Sequence, residues 1–394
     1  MPLGRSIVGS RWRSAAGVVK WVAICLAVPA IAAAAYYLLV VVAAWRWVRR
    51  SDSLPLRNQR GISILKPVRG RDPHFYESIR SHALQDYAPC EILFGIHDPN
   101  DPAVEDIRRL IAEFPERAIR LIVSTTRLPN SKAGVLADLE AHARYPLLLV
   151  NDADIRVPPD YLRQTAAALE QSRNGLVTCL YRAQSDGWPG RWEALGVATE
   201  FAPSVLVARL LGSGEFALGS TLLLRAEDLR RIGGFRAIGD YLADDYQLGW
   251  RITQLGLRVA FAPTIVETHL GGETWAGAWR HQLRWSRAIR VSRPGGYFGY
   301  VVTHATVWSL VAFAAGYWPV GAAALAMRLL GGILVGYGIL RDPAVIRYCY
   351  WIPLRDLWGF AIWAAGLFGN TVEWRGQRLT IGPDGKILDP RRPL

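Results

Sequence analysis

A chain of 394 residues, 51% hydrophobic and 20% charged, can fill an enzyme-sized core and still have apolar sequence left over. The formal net charge of +13 comes from arginines scattered along the chain and flanking its apolar segments, so contact with anionic headgroups accounts for it and no nucleic-acid partner is implied. Cys25, Cys90, Cys179 and Cys349 have no paired spacing, which excludes a zinc knuckle or disulfide framework and fits a reducing compartment.

After a short arm, residues 1–20, the stretch 21–45 is almost entirely apolar, bracketed by Lys20 and by Arg46, Arg49 and Arg50. It is too long for a signal peptide and long enough to cross a bilayer, so an uncleaved anchor is expected. Arg57, Arg60 and Lys66 extend the basic side, which places the following domain in the cytoplasm.

Within 60–298, short apolar runs at Ile62 to Leu65, Ile92 to Ile96, Ile119 to Val123 and Leu147 to Val150 alternate with helical patterns. That alternation predicts an α/β domain with a mostly parallel sheet, whose ligands gather at the carboxyl ends of the strands. Leu195 to Leu218, with Phe201, Val205, Leu206, Leu210 and Leu211, reads either as a buried core helix or as a surface helix on the membrane.

Two further spans are expected at 300–318 and 320–340, and a transmembrane or re-entrant helix at 351–369. Arg328 inside the second span is costly, and a third segment beginning at Trp351 would bring Arg355 and Asp356 into the membrane as a pair. The tail, 370–394, reads as a small polar hairpin turning at Pro383-Asp384-Gly385.

Three acidic sites follow predicted strands or open a helix: Asp98, the pair Asp152 and Asp154, and Asp244-Asp245. Alternate residues at a strand end present Asp152 and Asp154 together as hard oxygen ligands for Mg²⁺ or Mn²⁺, the ion that a nucleoside diphosphate requires. Asp245, with Asp244 beside it, is the candidate general base, against the plainer role of a first-turn acid complementing a helix dipole. Asp98 alone serves equally well as a cap or turn former. Arg284 can hold a leaving diphosphate and Trp285 can pack on a sugar, while a basic-aromatic interfacial belt is the bland alternative for the same run from His281.

In order along the chain, Ser63-Ile64-Leu65-Lys66-Pro67, Glu91-Ile92-Leu93-Phe94 with Asp98, Asn130-Ser131-Lys132, Asp152-Ala153-Asp154, Ala243-Asp244-Asp245-Tyr246 and Leu283-Arg284-Trp285 resemble the ceramide glucosyltransferase family of inverting, family-2-like enzymes. The resemblance implies a GT-A catalytic domain (Rossmann-like) that moves glucose or N-acetylglucosamine from a UDP-sugar to a hydroxyl of a lipid such as ceramide. It implies that Pro67, Asp98, Lys132, Asp152, Asp154 and Arg284 bind the UDP-sugar, that Asp152 and Asp154 hold the metal, and that Asp245, Asp244, Arg284, Trp285 and His281 form the catalytic group. His281 departs from the family's Gln or Arg and carries no fixed charge when neutral. The same blocks resemble the bacterial branch that adds N-acetylglucosamine to a hopanoid polyol. That branch would put the protein in a bacterial inner membrane. More distant readings are a processive polysaccharide synthase, which needs more spans, and a non-enzymatic membrane scaffold.

Overall fold

A computed structural model describes residues 7–50, 55–213, 216–271, 274–374 and 376–388. The first six residues of the expected arm lie outside the described residues, but helix α1, Ile7–Arg50, begins within it and runs through the whole expected anchor. The strand and helix pattern that follows is β1 (Ile62–Pro67), α2 (Phe75–Ala83), β2 (Cys90–Ile96), α3 (Ala103–Glu113), β3 (Ala118–Val123), α4 (Ser131–His142), β4 (Leu147–Val150), β5 (Ile155–Arg156), α5 (Tyr161–Glu170), β6 (Asn174–Thr178) and β7 (Tyr181–Gln184). Next come α6 (Trp188–Gly196), a π-helical turn at Val197–Phe201, α7 (Ala202–Leu210), β8 (Leu222–Arg225), α8 (Ala226–Arg231), α9 (Asp244–Gln254), β9 (Arg258–Phe261) and β10 (Val266–His269).

The apolar runs become a seven-stranded sheet in the order β3-β2-β1-β4-β8-β6-β9. Its first four strands are parallel neighbours, whereas β8 runs antiparallel to both β4 and β6. Ile62, Ile64, Ile92 and Phe94 face one helical layer with Phe75, Ile79 and Leu162; Leu65, Leu93 and Leu148 face the other with Leu136 and Leu139. Strands buried on both faces carry mostly apolar runs, which makes β1, β2 and β4 readable locally; β3, at the edge, is partly exposed and carries Arg120 within its run. A second sheet, β5-β10-β7, stands at the carboxyl edge of the first and assembles from segments far apart in the chain.

The C-terminal part comprises α10 (Trp275–Ser292), α11 (Pro294–Gly299), α12 (Ala305–Ala314), α13 (Trp318–Ile333), α14 (Pro343–Tyr348) and α15 (Ile352–Gly366). Two helical stretches are long and apolar enough to cross a membrane, Ala23–Arg49 with 27 residues and Trp318–Ile339 with 22; a third candidate, Pro294–Thr303 with Ala305–Ala314, is bent by 53°. Along α1, Ala30, Ala33, Tyr37 and Val40 are buried while Leu26, Val28, Ile31 and Leu38 are exposed, so the helix is apolar on both sides, as a lipid-facing span is. Small residues set the crossings: Ala30, Ala312 and Ala324 pack together, and a Cβ at Gly331 would stand 2.8 Å from the Tyr37 ring.

Arg355 and Asp356 do not pair with each other. Consecutive residues on a helix point about 100° apart, so each meets a different neighbour. Asp356 binds the wholly buried Arg328, Nη2 to Oδ1 at 2.7 Å, and accepts from Thr306 Oγ1 at 2.8 Å. Arg355 reaches Glu200 at 3.5 Å and Gln282 Oε1 at 3.0 Å. Arg328 also donates to the Thr199 carbonyl at 2.9 Å, so the π-helical turn that carries Thr199 and Glu200 is tied to the apolar helices by two arginines. The stretch from Leu195 is therefore mostly a packed helix: Val205 and Leu206 are buried with Tyr37 and Val40, while Leu211 is exposed.

The tail is not a simple polar hairpin. It forms three antiparallel strands, β11 (Thr371–Trp374), β12 (Gln377–Ile381) and β13 (Ile387–Leu388), with the expected turn at Pro383-Asp384-Gly385. Val372, Ile381 and Ile387 bury one face against Leu242. Residues 389–394 of the expected tail lie outside the described residues.

Candidate active site

The carboxyl ends of β1 and β4 and the first turns of α4 and α9 meet at one place. Asn130 caps α4 by accepting from the Ala133 N–H at 3.1 Å, and its own amide donates to the Tyr241 carbonyl at 2.8 Å. That cap puts Lys132 in the first turn, where its ammonium reaches Asp152 Oδ1 at 2.7 Å and Asp244 Oδ2 at 3.2 Å. Burial would strip its proton, but Asp152, Asp244 and Asp245 outweigh burial and hold Lys132 charged.

Asp245 receives the Tyr246 N–H on Oδ1 at 2.7 Å and the Gly219 N–H on Oδ2 at 3.0 Å. Burial, and then the charge of Asp244, push its pKa up to about 6 against the pull of Lys132. A Cβ at Gly219 would sit 3.2 Å from Asp152 Oδ2, 3.5 Å from Asp245 Oδ2 and 3.7 Å from Lys132 Nζ. Glycine thus keeps open the space that these three charged groups surround.

Asp154 also stands at about 6, raised first by burial and then by Asp152, and its Oδ2 accepts from Thr268 Oγ1 at 2.5 Å. Two neighbouring carboxylates supply hard oxygen ligands of the kind that fit a divalent cation. One residue past Thr268, His269 Nε2 stands 3.3 Å from Asp186 Oδ2, with His74 Nε2 3.5 Å from the same oxygen. His74 holds a left-handed backbone, φ 54°, which is uncommon for a residue with a Cβ.

Pro67 ends β1, and Lys66 before it is buried with its ammonium donating to the Asp152 carbonyl at 3.1 Å. Burial pulls the Lys66 pKa down to about 7, although Asp154 and Asp152 pull the other way. Asp98, just past the carboxyl end of β2, is exposed, and its Oδ1 accepts from the Asn100 N–H at 2.9 Å, a turn-forming contact.

His281, Arg284 and Trp285 occupy neighbouring positions on α10, as i, i+3 and i+4 residues do. His281 Nδ1 lies 2.6 Å from Oε1 of the buried Glu193, and its ring packs on Trp285 at 4.8 Å. The Arg284 guanidinium lies 5.9 Å from the Trp374 ring, so the tail sheet steadies it. Tyr181, on β7, joins these residues to the aspartates. Burial raises its pKa, and so do the charges of Glu193, Asp245, Asp152 and Asp154, all within electrostatic reach of its hydroxyl.

Lys66, Tyr181, Glu193, Gly219, Thr268 and His269 were not among the residues singled out for the site. Lys66 carried a signal, a charged residue in an otherwise apolar strand. The others depend on segments that meet only in the folded chain.

The three-layer domain, with its mostly parallel sheet, has the architecture of GT-A glycosyltransferases. In keeping with that, the fold matches a mannosyltransferase from Pyrobaculum calidifontis, solved with GDP-Man and Mn²⁺, at a TM-score of 0.54 and 20% identity over 87% of this chain and 97% of that one. Residues 22–387 match the model of Glycosyl transferase family 21, and the chain belongs to that family. It is 28% identical to ceramide glucosyltransferase 1 of Caenorhabditis elegans over 205 residues, 51% of this chain and 44% of the relative. With ceramide glucosyltransferase of Candida albicans it shares 29% identity over 127 residues, 29% of this chain and 23% of that protein. The chain thus spans less than half the length of the curated relatives it matches.

Proposed function

We propose that this protein is a membrane hexosyltransferase that moves a sugar, glucose or N-acetylglucosamine, from UDP to a lipid hydroxyl with inversion. The observation that carries the reading is the Gly219 space, walled by Asp152, Asp245 and Lys132. Asp245 takes the proton of the lipid hydroxyl as that oxygen attacks the anomeric carbon and the bond to the diphosphate breaks. Asp244 and Lys132 hold Asp245 in place, and Arg284 receives the departing diphosphate.

Asp152 and Asp154 would hold a divalent cation, Mg²⁺ or Mn²⁺, with His269 close by. When bound, the ion neutralises the leaving diphosphate. In this reading the domain sits on the cytoplasmic face of a bacterial inner membrane, beside its lipid acceptor; the apolar helices support the membrane seat and the basic residues after the first span support the orientation.

The test is the Asp245→Asn protein, with UDP-sugar binding measured by calorimetry and turnover by UDP release with lipid present. Binding within a few-fold of the parent and turnover down about 10²–10⁴-fold are expected. Unchanged turnover removes Asp245 from the reaction.

A further inference from the structure

His74, Asp186 and His269 meet at the carboxyl ends of β7 and β10, where their ligand atoms all lie within 4.8 Å of one another. Three segments distant in the chain supply them: His74 stands immediately before α2, Asp186 lies between β7 and α6, and His269 ends β10. The backbone holds these segments side by side. The Leu270 N–H donates to the Gln184 carbonyl at 2.8 Å, and a Cβ at Gly271 would stand 3.3 Å from Pro73 Cγ.

The spacing suits an ion shared by all three. His269 Nε2 and His74 Nε2 stand 3.3 Å and 3.5 Å from the same oxygen, Asp186 Oδ2. N–H···O bonds are usually shorter, about 2.7–3.2 Å, whereas ligands about 2.0–2.1 Å from a tetrahedral centre lie about 3.3–3.4 Å from one another. The two imidazole centroids are only 4.0 Å apart. His74 brings its ring there from a left-handed backbone, φ 54°, a conformation that is costly for a residue with a Cβ and gathers at ligand sites.

This group is separate from the Asp152 and Asp154 carboxylates. Successive residues of a strand face opposite ways: Thr268 turns its hydroxyl to Asp154, and His269 turns its ring to Asp186. The donors differ as well, because carboxylates alone suit Mg²⁺ or Mn²⁺, while two imidazoles with one carboxylate suit Zn²⁺ and its transition-metal neighbours. Asp186 is 86% exposed, so an ion enters from solvent and water can complete the tetrahedron.

We propose that His74, Asp186 and His269 bind a transition metal of the zinc class, and that the ion pins together the loops before α2, before α6 and after β10. The pinned loop before α2 borders the sugar-nucleotide site, since the charge of Asp72 reaches Asp154. The inference goes beyond the proposed sugar transfer and stands without it.

The experiment titrates Co²⁺, whose visible absorption reports tetrahedral coordination, into full-length protein in nanodiscs with no histidine tag on protein or scaffold. The parent should bind one Co²⁺ per chain with visible bands that Zn²⁺ displaces and a large excess of Mg²⁺ does not. Asp186→Ala, His269→Ala and His74→Asn, which keeps a residue tolerant of the left-handed backbone, should each weaken binding at least about tenfold, the loss seen even for outer-shell partners of a metal. Zn²⁺ at about 100 times its Kd should raise the parent's thermal midpoint by a few degrees and leave that of Asp186→Ala unmoved. Because Asp186 is so exposed, its replacement does not threaten the fold. Absence of the bands, bands that Mg²⁺ removes as readily as Zn²⁺ does, or binding unchanged in Asp186→Ala overturns the site; a parent midpoint unmoved by Zn²⁺ overturns the pinning. Metal binding is read without turnover, so a failure of lipid glycosylation would count against the transfer reaction alone.

Discussion

The protein contains two charged clusters that are built in opposite ways. Around Gly219, Asp152, Asp244 and Asp245 share the ammonium of Lys132, and both Asp154 and Asp245 are held up near pKa 6. Against the membrane helices, Arg328 and Asp356 are matched charge for charge, and Thr306 and the Thr199 carbonyl take up further hydrogen bonds. A closed ion pair has satisfied its chemistry within the fold. A crowd of like charges with a glycine-shaped space among them has not, and it suits a ligand that brings positive charge or gives up a proton.

The largest expected effect tests that contrast at the catalytic cluster. Lys132→Met removes the shared cation, and UDP release with lipid present should fall at least about 100-fold, with the oppositely charged groups then left unpaired. If the carboxylates are merely structural, turnover stays near the parent value.

At the other cluster the loss is in stability. Arg328→Leu leaves Asp356 buried without its partner and should cost about 3–5 kcal/mol, seen as a large drop in thermal midpoint in detergent. Arg328→Leu combined with Asp356→Leu should recover most of that loss, because a matched apolar pair replaces a matched ionic one. Failure of the double variant to recover would give the pair a role beyond closure.

Acidity sharpens the comparison next. The base form of Asp245 exists above its pKa of about 6, so kcat/KM should be level at pH 7–8 and fall about tenfold per pH unit below 6. Its folded pKa also lies above the ordinary 3.8, so the folded state holds a proton there that the unfolded chain has released. Stability from this group is therefore present at low pH and lost as pH rises through the interval from about 4 to 6. Asp245→Asn should accordingly be more stable than the parent at pH 7.5, by roughly 1–2 kcal/mol after solvent screening, and the gain should shrink towards pH 4. A gain independent of pH would break the assignment.

The smallest effect concerns the tail. Trp374→Leu removes the ring beside Arg284, and the UDP-sugar KM should rise a few-fold with kcat little changed, as expected for loss of a partly exposed cation–π contact of about 0.5–1 kcal/mol.

β1, β2 and β4 are readable from sequence because Ile62 to Leu65, Ile92 to Ile96 and Leu147 to Val150 are mostly apolar, a pattern that burial on two faces imposes locally, and β3, the half-exposed edge strand, keeps enough of it in Ile119 to Val123 despite Arg120. Asp152 and Asp154 were visible as an acidic pair after an apolar run, but they lie in the turn between β4 and β5 and not on the strand, so strand alternation is not what places them. The N-terminal apolar helix needed only length and hydropathy. Partners were another matter. That Arg328 takes Asp356, that Arg355 takes Glu200 and Gln282, and that Glu193 finds His281 88 residues away depend on which faces of which helices oppose each other. The same holds for β5, β7 and β10, and for the tail strands whose apolar face covers Leu242. Local periodicity records whether a residue is buried; only tertiary packing decides against what, and the chemistry of the Gly219 space is a property of those pairings.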